Sequence, residues 1–112
     1  MVTEGPAKKL TVYVDESDKI GGRPVYEALM DIMYRKKIAG VSVFRGVAGY
    51  GSDGVFHTSK MLELSTSLPV KIEIVDSEEM INTVLTDVAE IAGKGLIEIS
   101  DTYVIRCCKG RT

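Results

Sequence analysis

The stretch Phe44–Lys60, FRGVAGYGSDGVFHTSK, holds four glycines and the chain's one histidine. Most of the residues suited to ligand chemistry lie in it. Gly49 and Gly51 flank Tyr50. Glycine permits positive φ and lets backbone amides approach an anion or a ring closely. The pair therefore either cradles a phosphate or simply turns the chain, and Tyr50 either stacks on a base or caps an edge of the core. Arg45, just ahead of the glycines, is placed to reach a phosphate or to pair with an acid such as Glu73. His57 has no second histidine, catalytic serine context or metal-ligand spacing to support it. It reads as a loop group that bonds backbone, lies at a subunit boundary or touches a ligand. Lys94, between Gly93 and Gly95, is the other candidate cation, although a lysine past a helix end also favours the carbonyl dipole. Arg23, ahead of the first helix, is a lesser candidate, because Asp15, Glu16 and Asp18 oppose a strongly anionic guest there. Asp76, Glu78 and Glu79 are read as helix capping rather than metal ligation. Cys107 and Cys108 are adjacent and lack C-x-x-C spacing, so they are expected as reduced thiols at a strand end.

The elements that position these groups follow from periodicity. In KKLTVYVDES, Leu10, Val12 and Val14 share one face, and Thr11 and Tyr13 share the other. From Val25 to Ile38, Val25, Ala28, Leu29, Ile32 and Met33 recur at helical spacing, with Tyr26, Met30 and Tyr34 as a second stripe and Gly40 as the expected stop. VSVFRGVA reads as a second strand, MLELS as a strand-like arm, and LPVKIEIV as a third strand with Val70, Ile72 and Ile74 inward. A helix follows, capped by Asp76 with Glu79 as a capping box and stopped at Gly93 and Gly95. LIEIS and TYVIRC complete the chain as one bent strand or two. The order β-α-β-β-α-β makes an α+β, ferredoxin-like sandwich: an antiparallel sheet with two helices on one face. The connection from Gly49 to about Ser67 exceeds an ordinary hairpin, and loops of that length are usually functional or disordered.

A chain of 112 residues, 45% hydrophobic and 27% charged, is expected to form one domain over residues 1–112. The net charge of −2 argues against general nucleic-acid binding. An RNA-binding reading also fails on the third strand, which offers Lys71, Glu73 and Val75 but no ring. A hydrolase that binds an anion after the first strand is disfavoured, because that turn is DESDK; no enzymatic activity is expected. No apolar run reaches the roughly 20 residues of a membrane span, and the N-terminus lacks a secretion-signal core. A cytoplasmic location is the resulting expectation.

Several short blocks resemble PII signalling proteins. They are the leucine–proline pair leading KIEIV, the acidic-capped helix after it, and AGYG at the loop base. RGVAGYG, His57, Leu64–Ser65, SLP, EIVD and KGLI resemble more closely the uncharacterised PII-like family known as domain of unknown function 190, over about residues 8 to 107. The resemblance implies a homotrimer with adenine nucleotides in the clefts between subunits. It implies contacts from Gly49, Tyr50 and Gly51, from Gly93, Lys94 and Gly95, and from Leu68 and Pro69 beside the base. It further implies a loop that signals to a membrane transporter or an enzyme. The sequence departs from PII at Ser52 and Asp53, where PII has an Arg-Gln pair, and at IEISDT, where PII has a glycine-rich lysine turn. Arg106, Lys109 and Arg111 are out of register with the PII C-terminal arginines. Fewer phosphate donors favour a shorter ligand than ATP, such as AMP, ADP or a cyclic dinucleotide. The alternative is a trimeric structural or metal-tolerance protein of the same fold with no nucleotide and no cofactor.

Overall fold

The computed structural model describes residues 3–58 and 67–107. Four long strands form the main sheet: β1 (Gly5–Asp15), β4 (Val41–Arg45), β7 (Pro69–Asp76) and β8 (Leu96–Val104). Their order is β4-β7-β1-β8, and each neighbouring pair is antiparallel. The helices α1 (Val25–Arg35) and α2 (Glu78–Ala92) make the two crossovers, β1-α1-β4 and β7-α2-β8. In both, the joined strands are parallel with one strand between them, which is the split unit expected from the sequence. Two short ribbons complete the fold: β2 (Lys19–Ile20) with β3 (Arg23–Pro24), and β5 (Ala48–Gly49) with β6 (His57–Thr58).

The core lies between sheet and helices. Leu10, Val12 and Val14 from β1 and Val70, Ile72 and Ile74 from β7 meet Val25, Leu29 and Met33 of α1 and Ile81, Val84 and Val88 of α2. Alternation on the strands and three-to-four spacing on the helices aim these residues at one layer. Lys36, at the end of α1, ties the helices together: its Nζ donates to the Thr83 carbonyl at 3.2 Å and pairs with Asp87 at 3.0 Å.

The end of α1 and the start of α2 differ from those expected. α1 stops at Arg35, with Lys37 in the left-handed region at φ 64°. The Ile38 amide donates to the Met33 carbonyl, and Ile38 is buried against the core. This is a Schellman arrangement with lysine where glycine is usual, stabilised by the burial of Ile38. Gly40 is not the stop. At α2 the cap is Ser77, whose Oγ accepts from the Met80 amide at 3.2 Å. Asp76, fully buried, instead accepts from the Ala39 amide at 2.9 Å and the Ser77 amide at 2.7 Å. Gly93, at φ 58°, ends α2 as expected.

The last strand is a single one, Leu96–Val104, in continuous register with β1 from Tyr13↔Leu96 to Gly5↔Val104. Beyond it the Cys107 amide donates to the Thr3 carbonyl. Cys107 is disulfide-bonded, so it is not the reduced thiol expected from the adjacency of the cysteines; Cys108 lies outside the described residues. The MLELS arm also falls there.

Candidate functional site

Four segments meet at one end of the main sheet. They are the β1–β2 turn (Asp15–Asp18), the exit of β4 (Arg45–Gly49), the start of β7 (Ser67–Pro69) and the α2–β8 turn (Gly93–Gly95). The Glu16 amide donates to the Leu68 carbonyl at 2.9 Å, and the Ser17 and Ser67 hydroxyls lie 2.8 Å apart. These contacts fix the first turn to the third strand.

The glycines at the β4 exit allow close packing. The Gly46 amide donates to the Pro69 carbonyl at 2.7 Å. A Cβ on Gly46 would meet Pro69 Cγ at 2.8 Å, and one on Gly49 would meet the same atom at 3.1 Å. Neither glycine has positive φ. Both let the chain lie flat over the proline as it passes into the β5–β6 ribbon. Gly51 faces open space. Gly95 is also a packing glycine: a Cβ there would lie 2.7 Å from the Tyr13 carbonyl oxygen. The two turns expected to cradle a phosphate are thus pressed against β7 and β1.

The loop is partly a compact hairpin. Ala48 pairs with Thr58 and Gly49 with His57. A turn from Gly51 to Gly54 closes it, with the Gly54 amide donating to the Gly51 carbonyl and the Asp53 carboxylate accepting from the Val55 amide. The rings of Tyr50 and Phe56 stack across it at 4.7 Å. Tyr50 therefore caps no core edge; its partner is another loop ring, and both rings stay well exposed. Phe56 did not figure among the sequence candidates. The signal for it was present: two aromatics at symmetric distances from Asp53 in a glycine-rich stretch.

Both candidate cations face acids of the β1–β2 turn. Arg45 makes a two-pronged pair with Glu16, Nε to Oε2 at 3.0 Å and Nη2 to Oε1 at 3.1 Å. Lys94 Nζ lies 3.9 Å from Asp18 Oδ1. Glu73, the acid expected as a partner of Arg45, pairs instead with Lys71 on the open sheet face at 3.3 Å. Arg23 lies apart, 3.7 Å from Asp31. It lines a separate groove of about 680 Å³ with Tyr26, Met30 and Tyr34, between α1 and the start of β4. Among the described residues no group of three or more His, Cys, Asp or Glu side chains is placed to hold a metal ion. Thus Arg45, Gly49, Leu68, Lys94 and Gly95 come together at one end of the sheet. His57 sits opposite Gly49, and Tyr50 and Gly51 reach outward along the ribbon.

This architecture is that of the PII-like proteins. CPII from Thiomonas intermedia, a nitrogen regulatory PII-like protein solved with ADP, AMP and bicarbonate, superposes with a TM-score of 0.70 at 21% identity, covering 95% of this chain and 94% of that one. A proposed PII-like signalling protein from Thermus thermophilus gives 0.65 at 16% identity, over 93% and 94%. The family model DUF190, described as an uncharacterised ACR, matches residues 7–104, and the chain belongs to that family. A UPF0166 protein of Methanocaldococcus jannaschii is 44% identical over 101 residues, 89% of this chain and 93% of the relative. One from Aquifex aeolicus is 38% identical over 100 residues, 88% and 92%.

Proposed function

We propose that the protein is a small-molecule sensor that holds an adenine nucleotide, AMP or ADP in preference to ATP, at the end of the sheet where Arg45, Lys94 and the glycine ribbon converge. The observation that carries this reading is that convergence: two cations, two serine hydroxyls and an exposed aromatic pair on turns held to one end of the sheet. The fold neighbour CPII was solved with ADP and AMP, which supports the ligand class. In this reading the β5–β6 ribbon is the signalling element. The guest shifts its position, and the ribbon carries the change to a transporter or an enzyme. No catalytic step is assigned to the site.

The same reading makes the protein a homotrimer. The sheet face away from the helices carries a cross-strand row of Phe44, Lys71, Tyr13 and Leu96. Its three apolar members are 48%, 39% and 57% exposed, and the Lys71 ammonium lies 5.1 Å above the Phe44 ring. A row of large apolar groups across a whole sheet calls for cover, and further copies of the chain supply it.

Calorimetric titration with AMP, ADP, ATP and cyclic dinucleotides, beside sedimentation analysis, tests the proposal. Saturable heat with AMP or ADP from a species of three chains is expected. Absence of heat with every nucleotide would remove the sensor reading in favour of the ligand-free structural alternative.

A further inference from the structure

We propose that the acidic turn between β1 and β2 is the selectivity element of the site: Glu16 and Asp18 set how much phosphate charge a guest can bring. This rests on the nucleotide-sensor reading, and it deepens that reading by naming what discriminates among nucleotides. The partners in the two ion pairs are unequal. Arg45 and Lys94 have side chains 61% and 76% exposed, whereas Glu16 and Asp18 are only 29% and 17% exposed. The acids are also anchored. The Asp15 amide donates to Asp18 Oδ2 at 3.0 Å, the Val25 amide donates to the Asp18 carbonyl, and the Glu16 amide is tied to Leu68. The cations are long, exposed arms; the Asp18 carboxylate is held by the turn, and the Glu16 backbone is tied to the start of β7.

A phosphate that enters can therefore draw Arg45 and Lys94 away, while the turn keeps both acids at this end of the sheet. Binding becomes an exchange, phosphate for carboxylate, with two carboxylates left behind at short range. Arg45 and Lys94 together supply two positive charges, matched by Glu16 and Asp18. A monophosphate bears about the charge these cations can answer. Each further phosphate adds negative charge that meets no additional cation from this pair and feels the residual field of the turn. The arrangement admits AMP, tolerates ADP and disfavours ATP. It also gives Glu16 a geometric role, because its two-pronged grip on Arg45 reproduces the fork that a phosphate would use.

The test compares wild type with Glu16→Gln and Asp18→Asn by calorimetry at fixed ionic strength, using AMP, ADP, ATP and inorganic pyrophosphate, with a thermal melt of each variant. Glu16→Gln removes the charge and keeps one of the two oxygens that accept from Arg45. The expected result is a gain in affinity that grows with phosphate charge, narrowing the AMP-to-ATP preference by about tenfold. Asp18→Asn should give a smaller change in the same direction, since its pair is longer. An unchanged preference, or an equal loss for every nucleotide, overturns the proposal. If wild type binds no nucleotide, the sensor reading falls, and pyrophosphate alone decides this one: stronger binding by Glu16→Gln than by wild type supports it. No gain, or no binding by either variant, overturns it. If Glu16→Gln melts well below wild type, Asp18→Asn decides the matter by the same criteria.

Discussion

Gly46 and Gly51 stand five residues apart and do opposite things. Gly46 is pinned over Pro69, where an added methyl group would meet Cγ at 2.8 Å and the carbonyl oxygen at 3.3 Å; Gly51 would meet nothing. Gly46→Ala should therefore lower unfolding free energy by about 2 kcal/mol through overpacking, while Gly51→Ala should be close to neutral; urea denaturation of both variants checks the contrast. Equal effects would mean that the ribbon base is free to move off the proline. The sequence displays both glycines alike. What separates them is a long-range contact with Pro69, which no local pattern encodes. The same holds for Arg45. Its charge and position marked it as a candidate, but the choice of Glu16 over Glu73 depends on which strands become neighbours and which face each side chain takes. Glu73 alternates to the open face with Lys71, whereas Glu16 lies in the turn beside the β4 exit.

Among the elements, the strands and helices were readable because their apolar spacing is regular: Leu10, Val12 and Val14, or Ile81, Val84 and Val88, admit few other arrangements. Their ends were less so. Asp76 satisfies every local rule for a cap, yet Ser77 takes that role, because the buried Asp76 carboxylate is claimed by the Ala39 amide from the α1–β4 connection. This carboxylate joins the two halves of the fold. Asp76→Ala should cost about 3 kcal/mol, since it strands two amides that the carboxylate now satisfies. A drop of that size in unfolding free energy, larger than that of Ser77→Ala, is the expected result of urea denaturation.

The β1–β8 pair supplies a pH-dependent element. Lys8 donates to Asp101, and this hydrogen bond, together with the attraction of Asp101 and Glu78, holds the Lys8 ammonium above its ordinary value of 10.5, against a smaller opposing effect of desolvation. A raised lysine stabilises the fold fully below its unfolded value and loses that contribution as pH rises through the folded one. Melting temperature should thus show no Lys8 contribution to its slope between roughly pH 6 and 9, which lies a unit or more below the ordinary lysine value. Above that value it should fall more in wild type than in Asp101→Asn. The effect should be small, because Asp101 is largely open to water. A steeper alkaline loss in the variant would contradict the assignment.

At the scale of the molecule, two helices cover one side of a four-stranded sheet, and the other side shows Phe44, Tyr13 and Leu96 to solvent. If further copies cover that face, a charge introduced at its centre should disperse them. Tyr13→Glu is expected to shift the sedimenting species toward a single chain while leaving the far-ultraviolet dichroism unchanged; an unaltered mass would place the contact elsewhere. No helix long and apolar enough to cross a membrane is present among the described residues. The overall architecture was legible from element order alone, because two crossovers of one hand leave few ways to arrange four strands. The site was legible only as a set of segments. Their meeting at one sheet end arises from strand pairing, and Phe56 entered it through a ring contact that composition hides.

That ring contact has a practical side. The chain contains no tryptophan and five tyrosines, so its near-ultraviolet spectrum is not dominated by an indole. Tyr50, stacked on Phe56 at the tip of the ribbon, sits in an asymmetric setting that changes when the two rings part. The molecule thus carries its own optical gauge: an encounter that parts the rings registers as a change in tyrosine dichroism, with no label attached.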